Sequence, residues 1–259
     1  SYHNSFMIAD ATCAWVVEAA GKTVATKRID RGAYAISNGI TLPALASRED
    51  RIRPRVAMAA GRRRRVQCLA ESAGDVRDAM AALRDHGEGN EAPRYRRLNG
   101  AMSGPCMHAG GWLAASQTVG SFVAELEGSA ARYWATGTAA PCLGVFRPVS
   151  LQRPCDVGTP TGRQDDSLWW TFEALHRALL AGDAGMLAEY LAERDHVQAL
   201  VLESDGVTAW QTADTWLREW HARLSHESPG DNRPPWLRRY WRRVSRQASM
   251  SSRLPWRPA

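Results

Sequence analysis

Residues 1–42, SYHNSFMIADATCAWVVEAAGKTVATKRIDRGAYAISNGITL, decide the fold class. β-Branched, aromatic and small apolar side chains fill four runs: Phe6 to Asp10, Ala14 to Ala20, Thr23 to Ile29 and Ala33 to Ile40. Turn chemistry marks the breaks, at Asp10-Ala11, Gly21-Lys22 and Asp30 to Gly32. Short apolar runs separated this way predict a four-strand β-meander. Ser1 leads straight into strand-forming residues, so the reading expects the run to start inside a fold.

Outward from this block the periodicity changes. Val66, Leu69, Ala70, Val76, Ala79, Met80 and Leu83 recur at three and four, predicting helix from Val66 to Arg84 with an interruption near Gly74-Asp75. His86 to Pro93, with Gly87, Gly89 and Asn90, reads as a surface loop. Cys106 to Ala109, Thr118 to Leu126, Arg132 to Thr136 and Gly144 to Val149 form a second extended set. Four helices follow: Leu168 to Leu180, Ala184 to Leu202, Thr208 to His226 and Trp236 to Gln247. Gly182 and Gly185 separate the first two, Asp205-Gly206 the next two, and Pro229 with Pro234-Pro235 the last two. The pattern is α+β, and two strand-rich blocks call for stacked sheets or one long mixed sheet, because a lone meander leaves an apolar face in water.

Composition bounds the function. The chain has 259 residues, 44% of them hydrophobic, which suits a packed core. No apolar run reaches the length of a membrane span and no secretory leader pattern is present, so a soluble cytoplasmic protein is expected. Five irregularly spaced cysteines (Cys13, Cys68, Cys106, Cys142, Cys155) fit a reducing compartment better than a disulfide framework. With no CxxC pair, no HExxH and no two-His, two-Cys spacing, the sequence gives no support for a dedicated metal site.

The net charge of +6 sits at one end. Asn232 to Ala259 carries eight Arg and no acid, leaving the other residues at −2, and Arg62 to Arg65 form a second run. Such patches can meet the phosphates of nucleic acid or lipid, with Trp236, Tyr240, Trp241 and Trp256 as stacking faces. The competing and preferred reading is an amphipathic terminal helix that packs its Trp side inward. Arg outnumbers Lys 31 to 2, which weakens inference from any one Arg cluster.

Three blocks in order, YHNSFMIAD with AWVVEAAGK and YAISNGITL, then CMHAGGWLAASQTVGSFVAEL with YWATGTAAPCLGVFRPV, then SLWWTFEALHR, resemble the secernin and dipeptidase branch of the N-terminal nucleophile hydrolases. That branch is related to bile-salt hydrolase and penicillin V acylase. The resemblance spans roughly Tyr2 to Arg177 and implies an αββα sandwich of antiparallel sheets, incomplete at its N-terminus. It implies a partial core over 1–160, a helical extension over 161–231 and a basic tail over 232–259. The implied reaction is cysteine-dependent hydrolysis of a peptide or other linear amide through an acyl-enzyme, with no cofactor or metal. The family segment bearing the nucleophile has no counterpart here and is expected upstream. An interaction role without catalysis, as secernin-like proteins have in exocytosis, is the alternative, and homo-oligomers are common in the family.

In this chemistry a first-residue thiol or hydroxyl attacks an amide carbonyl while its own amine takes the proton. The resulting oxyanion needs a preplaced donor. The family motif lands on Ile36-Ser37-Asn38 and makes Asn38 the oxyanion donor; the competing reading is a simple Asn38-Gly39 hairpin turn. Ser116, Gln117 and Thr118 are candidates to line the substrate pocket, and His3 and Asn4 to shape its edge. His108 reads as a hydrogen-bonded structural histidine. Cys106 and His108, two apart on one strand, project to the same face, which leaves a Cys/His dyad open as a minor alternative. Ser1 as nucleophile is another.

Overall fold

The computed structural model describes residues 3–48, 58–87, 92–113, 115–152, 155, 157–227 and 230–250. Ser1, Tyr2, Gly89, Asn90, Pro229 and the tail beyond Met250, with Trp256, lie outside the described residues, so the reading of Ser1 as nucleophile does as well. The chain is a mixed α+β protein with two small antiparallel three-strand sheets and six helices among the described residues, and its C-terminal region is helical. It divides into two compact units. The first comprises Ser1–Gln117 with Ala124–Ala131, the second Thr118–Val123 with Arg132–Ala259.

The first unit opens with β1 (His3–Ala9), β2 (Ala14–Ala20) and β3 (Thr23–Ile29), in the order β1-β2-β3. Asp10 closes the first turn: its carboxylate accepts from Thr12 N at 2.7 Å and Cys13 N at 3.0 Å. Gly21 closes the second at φ 63°, a left-handed conformation that costs glycine little. Because side chains alternate along a strand, the register sorts them cleanly. Val16, Glu18 and Ala20 are buried on one face, opposite Met7, Ser5 and His3. The other face carries Phe6, Ile8, Trp15 and Val24, which are 53%, 62%, 40% and 60% exposed and so form an uncovered apolar surface.

The expected fourth strand, Ala33 to Ile40, is not one. The chain runs there without strand pairing because side chains, rather than a neighbouring strand, take its backbone groups. Gln67 bridges it, its Oε1 accepting from Ala35 N at 2.8 Å and its Nε2 donating to Ala33 O at 2.9 Å. Further along, Glu18 accepts from Thr41 N and from Leu42 N. A short 3-10 helix, Pro43–Arg48, follows.

Helix α1 (Ala59–Ser72) and helix α2 (Val76–Arg84) are separated where the periodicity breaks, with Asp75 capping α2 through Arg77 N and Asp78 N. The Arg62–Arg65 run is not a continuous solvent patch. Successive helical residues point about 100° apart, so Arg62 turns inward and is buried while Arg64 stays exposed. Arg65 pairs with Asp85 through two bonds of 3.0 and 2.8 Å.

The second sheet, in the order β4-β5-β6, holds β4 (Phe122–Glu127), β5 (Ala130–Ala135) and β6 (Arg147–Val149). The extended segment expected from Thr118 therefore starts at Phe122 as a strand. Cys106 to Ala109 contributes only an isolated bridge, Ala101 to His108.

Helices α3 (Leu168–Leu179), α4 (Ala184–Glu203), α5 (Gly206–Glu227) and α6 (Pro235–Gln247) lie within two residues of their expected limits. Gly185 sits inside α4 rather than ending α3, because the Asp183 carboxylate caps α4 on Met186 N. α4 and α5 clamp β6 and the segment before it. Gln198 bonds both Phe146 N and Phe146 O, the Tyr190 hydroxyl donates to Leu143 O at 2.7 Å, and Trp210 Nε1 donates to Pro148 O at 2.8 Å. Buried Arg147 pairs with Asp214 and lies 4.7 Å from the Trp210 ring centre. In α6, Leu237 and Trp241 are buried and Arg239, Arg242 and Arg246 are exposed, an amphipathic arrangement. No described helix is long and apolar enough to cross a membrane.

One prediction concerns acid stability. Burial alone would raise the Glu173 carboxyl, but His176 at 3.0 Å and Arg177 at 2.6 Å hold it down to about 2 from 4.5. A carboxyl depressed on folding stabilises above its unfolded value and loses that contribution as pH falls through its folded one. The second unit is therefore expected to lose about 3 kcal/mol between about pH 4.5 and pH 2. Urea midpoints across that window measure the loss, and Glu173→Gln should flatten it; an unchanged pH slope in that variant refutes the assignment.

Candidate functional site

The first unit gathers its polar side chains under the open segment 33–42. Glu18, on the buried face of β2, is fully buried, and its carboxylate collects donors. Thr41 N reaches Oε1 and Oε2 at 2.9 Å each, Thr41 Oγ1 reaches Oε1 at 2.6 Å, and Leu42 N reaches Oε2 at 2.8 Å. Since the Thr41 hydroxyl spends its proton on Glu18, Tyr34 Oη donates to it across their 2.9 Å contact. Ser5, opposite Glu18 on β1, bonds the same carboxylate at 3.3 Å and Gly39 O at 3.5 Å. The turn carrying Asn38 is thus tied at Gly39 and at Thr41–Leu42.

Asn38 is held by Arg62. The Arg62 guanidinium on α1 donates from Nη2 to Asn38 Oδ1 at 2.6 Å and to Ser37 Oγ at 3.3 Å, and from Nη1 to Met102 O at 3.2 Å. Burial lowers the Arg62 pKa, marking an environment of reduced polarity. Fixing Oδ1 on a cation leaves Nδ2 as the donor end of a side chain that is exposed to solvent. The hairpin-turn reading of Asn38-Gly39 fails. A two-residue Asn-Gly turn of type I′ requires positive φ at both positions, and neither residue is among those with positive φ.

The remaining candidates separate. His3 and Asn4 point to opposite faces of β1, His3 toward the Glu18 side and Asn4 toward the exposed apolar side, so both cannot line one pocket. Ser116 is exposed, Gln117 is half-buried at the end of the first unit, and Thr118 belongs to the second unit, where its carbonyl accepts from Ala140 N. None of the three lies in a strand. Sequence reasoning missed Glu18, Arg62, Ser5 and Thr41. One signal was available: a glutamate on the i, i+2, i+4 face of an otherwise apolar strand must find donors or fail to fold.

A second cluster of the first unit lies behind Met102. Cys106 Sγ stands 3.4 Å from His108 Nε2, on the shared face that their spacing implies, and His86 Nε2 stands 3.0 Å from the same nitrogen. All three are buried, at 1%, 0% and 6% exposure, so Cys106 is out of reach of a substrate and a nucleophilic dyad is not supported. His86, expected in a surface loop, is inside because Gly104 has no side chain. A Cβ at Gly104 would lie 2.6 Å from Asp85 O and 2.8 Å from the His86 backbone. Gly104→Ala is expected to lower the unfolding free energy by about 1–3 kcal/mol through this overlap. An unchanged urea midpoint would show that the 85–86 backbone yields freely.

In the second unit a cavity of about 830 Å³ is walled by Arg177, Asp231, Arg233, Arg239, Trp241 and Arg246, among others. Arg177 lies 4.9 Å from the Trp241 ring centre and donates to Ser245 Oγ. No protein-family model matches the chain, and no solved structure matches it.

Proposed function

We propose that this chain is the portion of a secernin-like or dipeptidase-like cysteine amidohydrolase that supplies the oxyanion donor, acting on a peptide or other linear amide through an acyl-enzyme. The observation that carries the reading is the Asn38 amide. Arg62 holds its oxygen, which leaves Nδ2 as the donor end of an exposed side chain, and the chain just beyond it, at Thr41 and Leu42, is braced by buried Glu18. A donor whose orientation is set before the reaction stabilises developing negative charge without reorganising.

The apolar face of Phe6, Ile8, Trp15 and Val24 supports the fuller αββα architecture, since a second layer would cover it. β1 is the edge of its three-strand sheet among the described residues, so an upstream segment bearing the nucleophilic Cys would find there an edge to pair with. That cysteine attacks the amide carbonyl, its own α-amine takes the thiol proton, and water then releases the acyl group. The reaction as read uses no metal or cofactor.

The test is turnover of a dipeptide and acyl-amino-acid panel by the chain extended upstream through that Cys and by the 259-residue chain. The extended protein should turn over and form a mass-detectable acyl adduct, while the shorter chain should not. Activity in the shorter chain that survives loss of Asn38 would refute the assignment.

A further inference from the structure

We infer that His86, Cys106 and His108 form a structural metal site of the first unit, selective for zinc over hard divalent cations. Three ligand atoms from residues 20 and 2 apart converge: their Nε2, Sγ and Nε2 atoms all lie within 4.8 Å of one another, with edges of 3.0 and 3.4 Å at His108. Around a tetrahedral zinc, with Zn–N of ~2.0–2.1 Å and Zn–S of ~2.3 Å, neighbouring ligand atoms stand roughly 3.3–3.6 Å apart. The two edges at His108 are near those lengths, and a small spreading of the His pair would bring its edge to the length an ion needs.

Hydrogen bonding alone fits the cluster less well. His108 Nε2 has one in-plane position, either a proton or a lone pair, yet both His86 Nε2 and Cys106 Sγ approach that one atom. A cation at the centre takes one lone pair from each of the three and leaves none in competition. The donor set, two imidazoles and a thiolate, favours borderline-soft zinc over magnesium or calcium, which prefer oxygen. On binding, the Cys106 thiol loses its proton to solvent and its sulfur donates to the metal. A water or a further side chain completes four-coordination.

The surrounding backbone is built to hold the geometry. Cys106 N donates to Asp85 O at 3.2 Å, Gly104 lets the two segments touch, and the Ala101–His108 bridge fixes the histidine's backbone. Asp85 is in turn anchored by Arg65 and by Gly87 N. Such near-complete burial marks a structural site rather than a catalytic one. The ion would clamp 99–111, including Met102 beneath Arg62, onto 85–87.

The experiment is metal analysis of the full chain purified without chelator, followed by cobalt substitution. One equivalent of zinc is expected, and cobalt should give tetrahedral d–d absorption with a thiolate charge-transfer band in the near ultraviolet. Removing zinc should lower the melting temperature and restoring it should reverse the drop. Cys106→Ser and His108→Ala should each abolish the charge-transfer band or the stoichiometric zinc. A triple variant, Cys13→Ser with Cys68→Ser and Cys155→Ser, should keep both. Absence of stoichiometric zinc and of a thiolate–cobalt band in the unmutated protein overturns the proposal, a result that needs no variant to fold. Zinc and the charge-transfer band both kept by a folded Cys106→Ser or His108→Ala protein, or either lost in the triple variant, overturns it as well.

Discussion

On the proposed function, replacing Asn38 with Ala in a chain extended upstream through the proposed cysteine is expected to lower kcat for amide hydrolysis by roughly 10²–10³, the range seen when one oxyanion donor is removed. KM should change little, because the donor acts on charge that develops only in the transition state. Asn38→Asp separates catalysis from structure. An aspartate keeps the oxygen that Arg62 grips at 2.6 Å and makes that bond charge-assisted, so the folded protein should be at least as stable as before. The same change removes the Nδ2 donor and sets a carboxylate against the oxyanion, so activity should fall as far as in Asn38→Ala or further. Stability is read from urea midpoints and rate from steady-state turnover. A fully active Asn38→Asp protein would show that the amide donates to nothing in the reaction.

The largest expected stability effect belongs to Glu18. Truncation to Ala strands Thr41 N, Leu42 N and the Thr41 hydroxyl in a buried place, where each unsatisfied donor costs about 1–3 kcal/mol. Water admitted into the gap recovers part of this, so Glu18→Ala should destabilise the first unit by about 3–5 kcal/mol. Glu18→Gln keeps one acceptor oxygen but turns the other into an NH₂ facing a backbone N–H, and about 1–2 kcal/mol is expected. The ordering Ala worse than Gln is the signature of an acceptor role. Equal midpoints for all three proteins would mean that the carboxylate does not hold the 41–42 backbone. Because Gly39, Thr41 and Leu42 flank the Asn38 turn, Glu18→Gln should also depress kcat more than its modest stability loss explains.

Much of the fold was legible because it depends on local patterning. β2 and β3 keep the limits read from their alternation and turn residues, and α3 to α6 fall within two residues of where the 3.6-residue period and the breaks at Gly182, Asp205-Gly206 and Pro234-Pro235 put them. The misreading of Ala33 to Ile40 as a fourth strand has a definite cause. Its composition suits a strand, but no strand pairs with it, and the backbone of Ala35 and Ala33 bonds instead to Gln67, 32 and 34 residues away. Strand propensity reports the backbone's preferred angles and says nothing about which partner satisfies it.

Of the proposed site, the sequence named one residue. The family-like ISN motif placed Asn38, whereas the residues that give its amide a direction, Arg62 and Glu18, were hidden in an arginine run and an apolar strand. Cys106 and His108 showed their shared face in a two-residue spacing, but His86 was assigned to a loop because no sequence pattern records that Gly104 will admit its backbone. The sequence by itself determined the first two hairpin turns and the C-terminal helices, which arise between residues a few positions apart. Only the tertiary structure decided the partners of buried polar groups: Arg62 with Asn38, Glu18 with Thr41 and Leu42, His86 with Cys106 and His108. Those pairings follow from the need to satisfy each group removed from water, and the groups available to do so are fixed by packing rather than by distance along the chain.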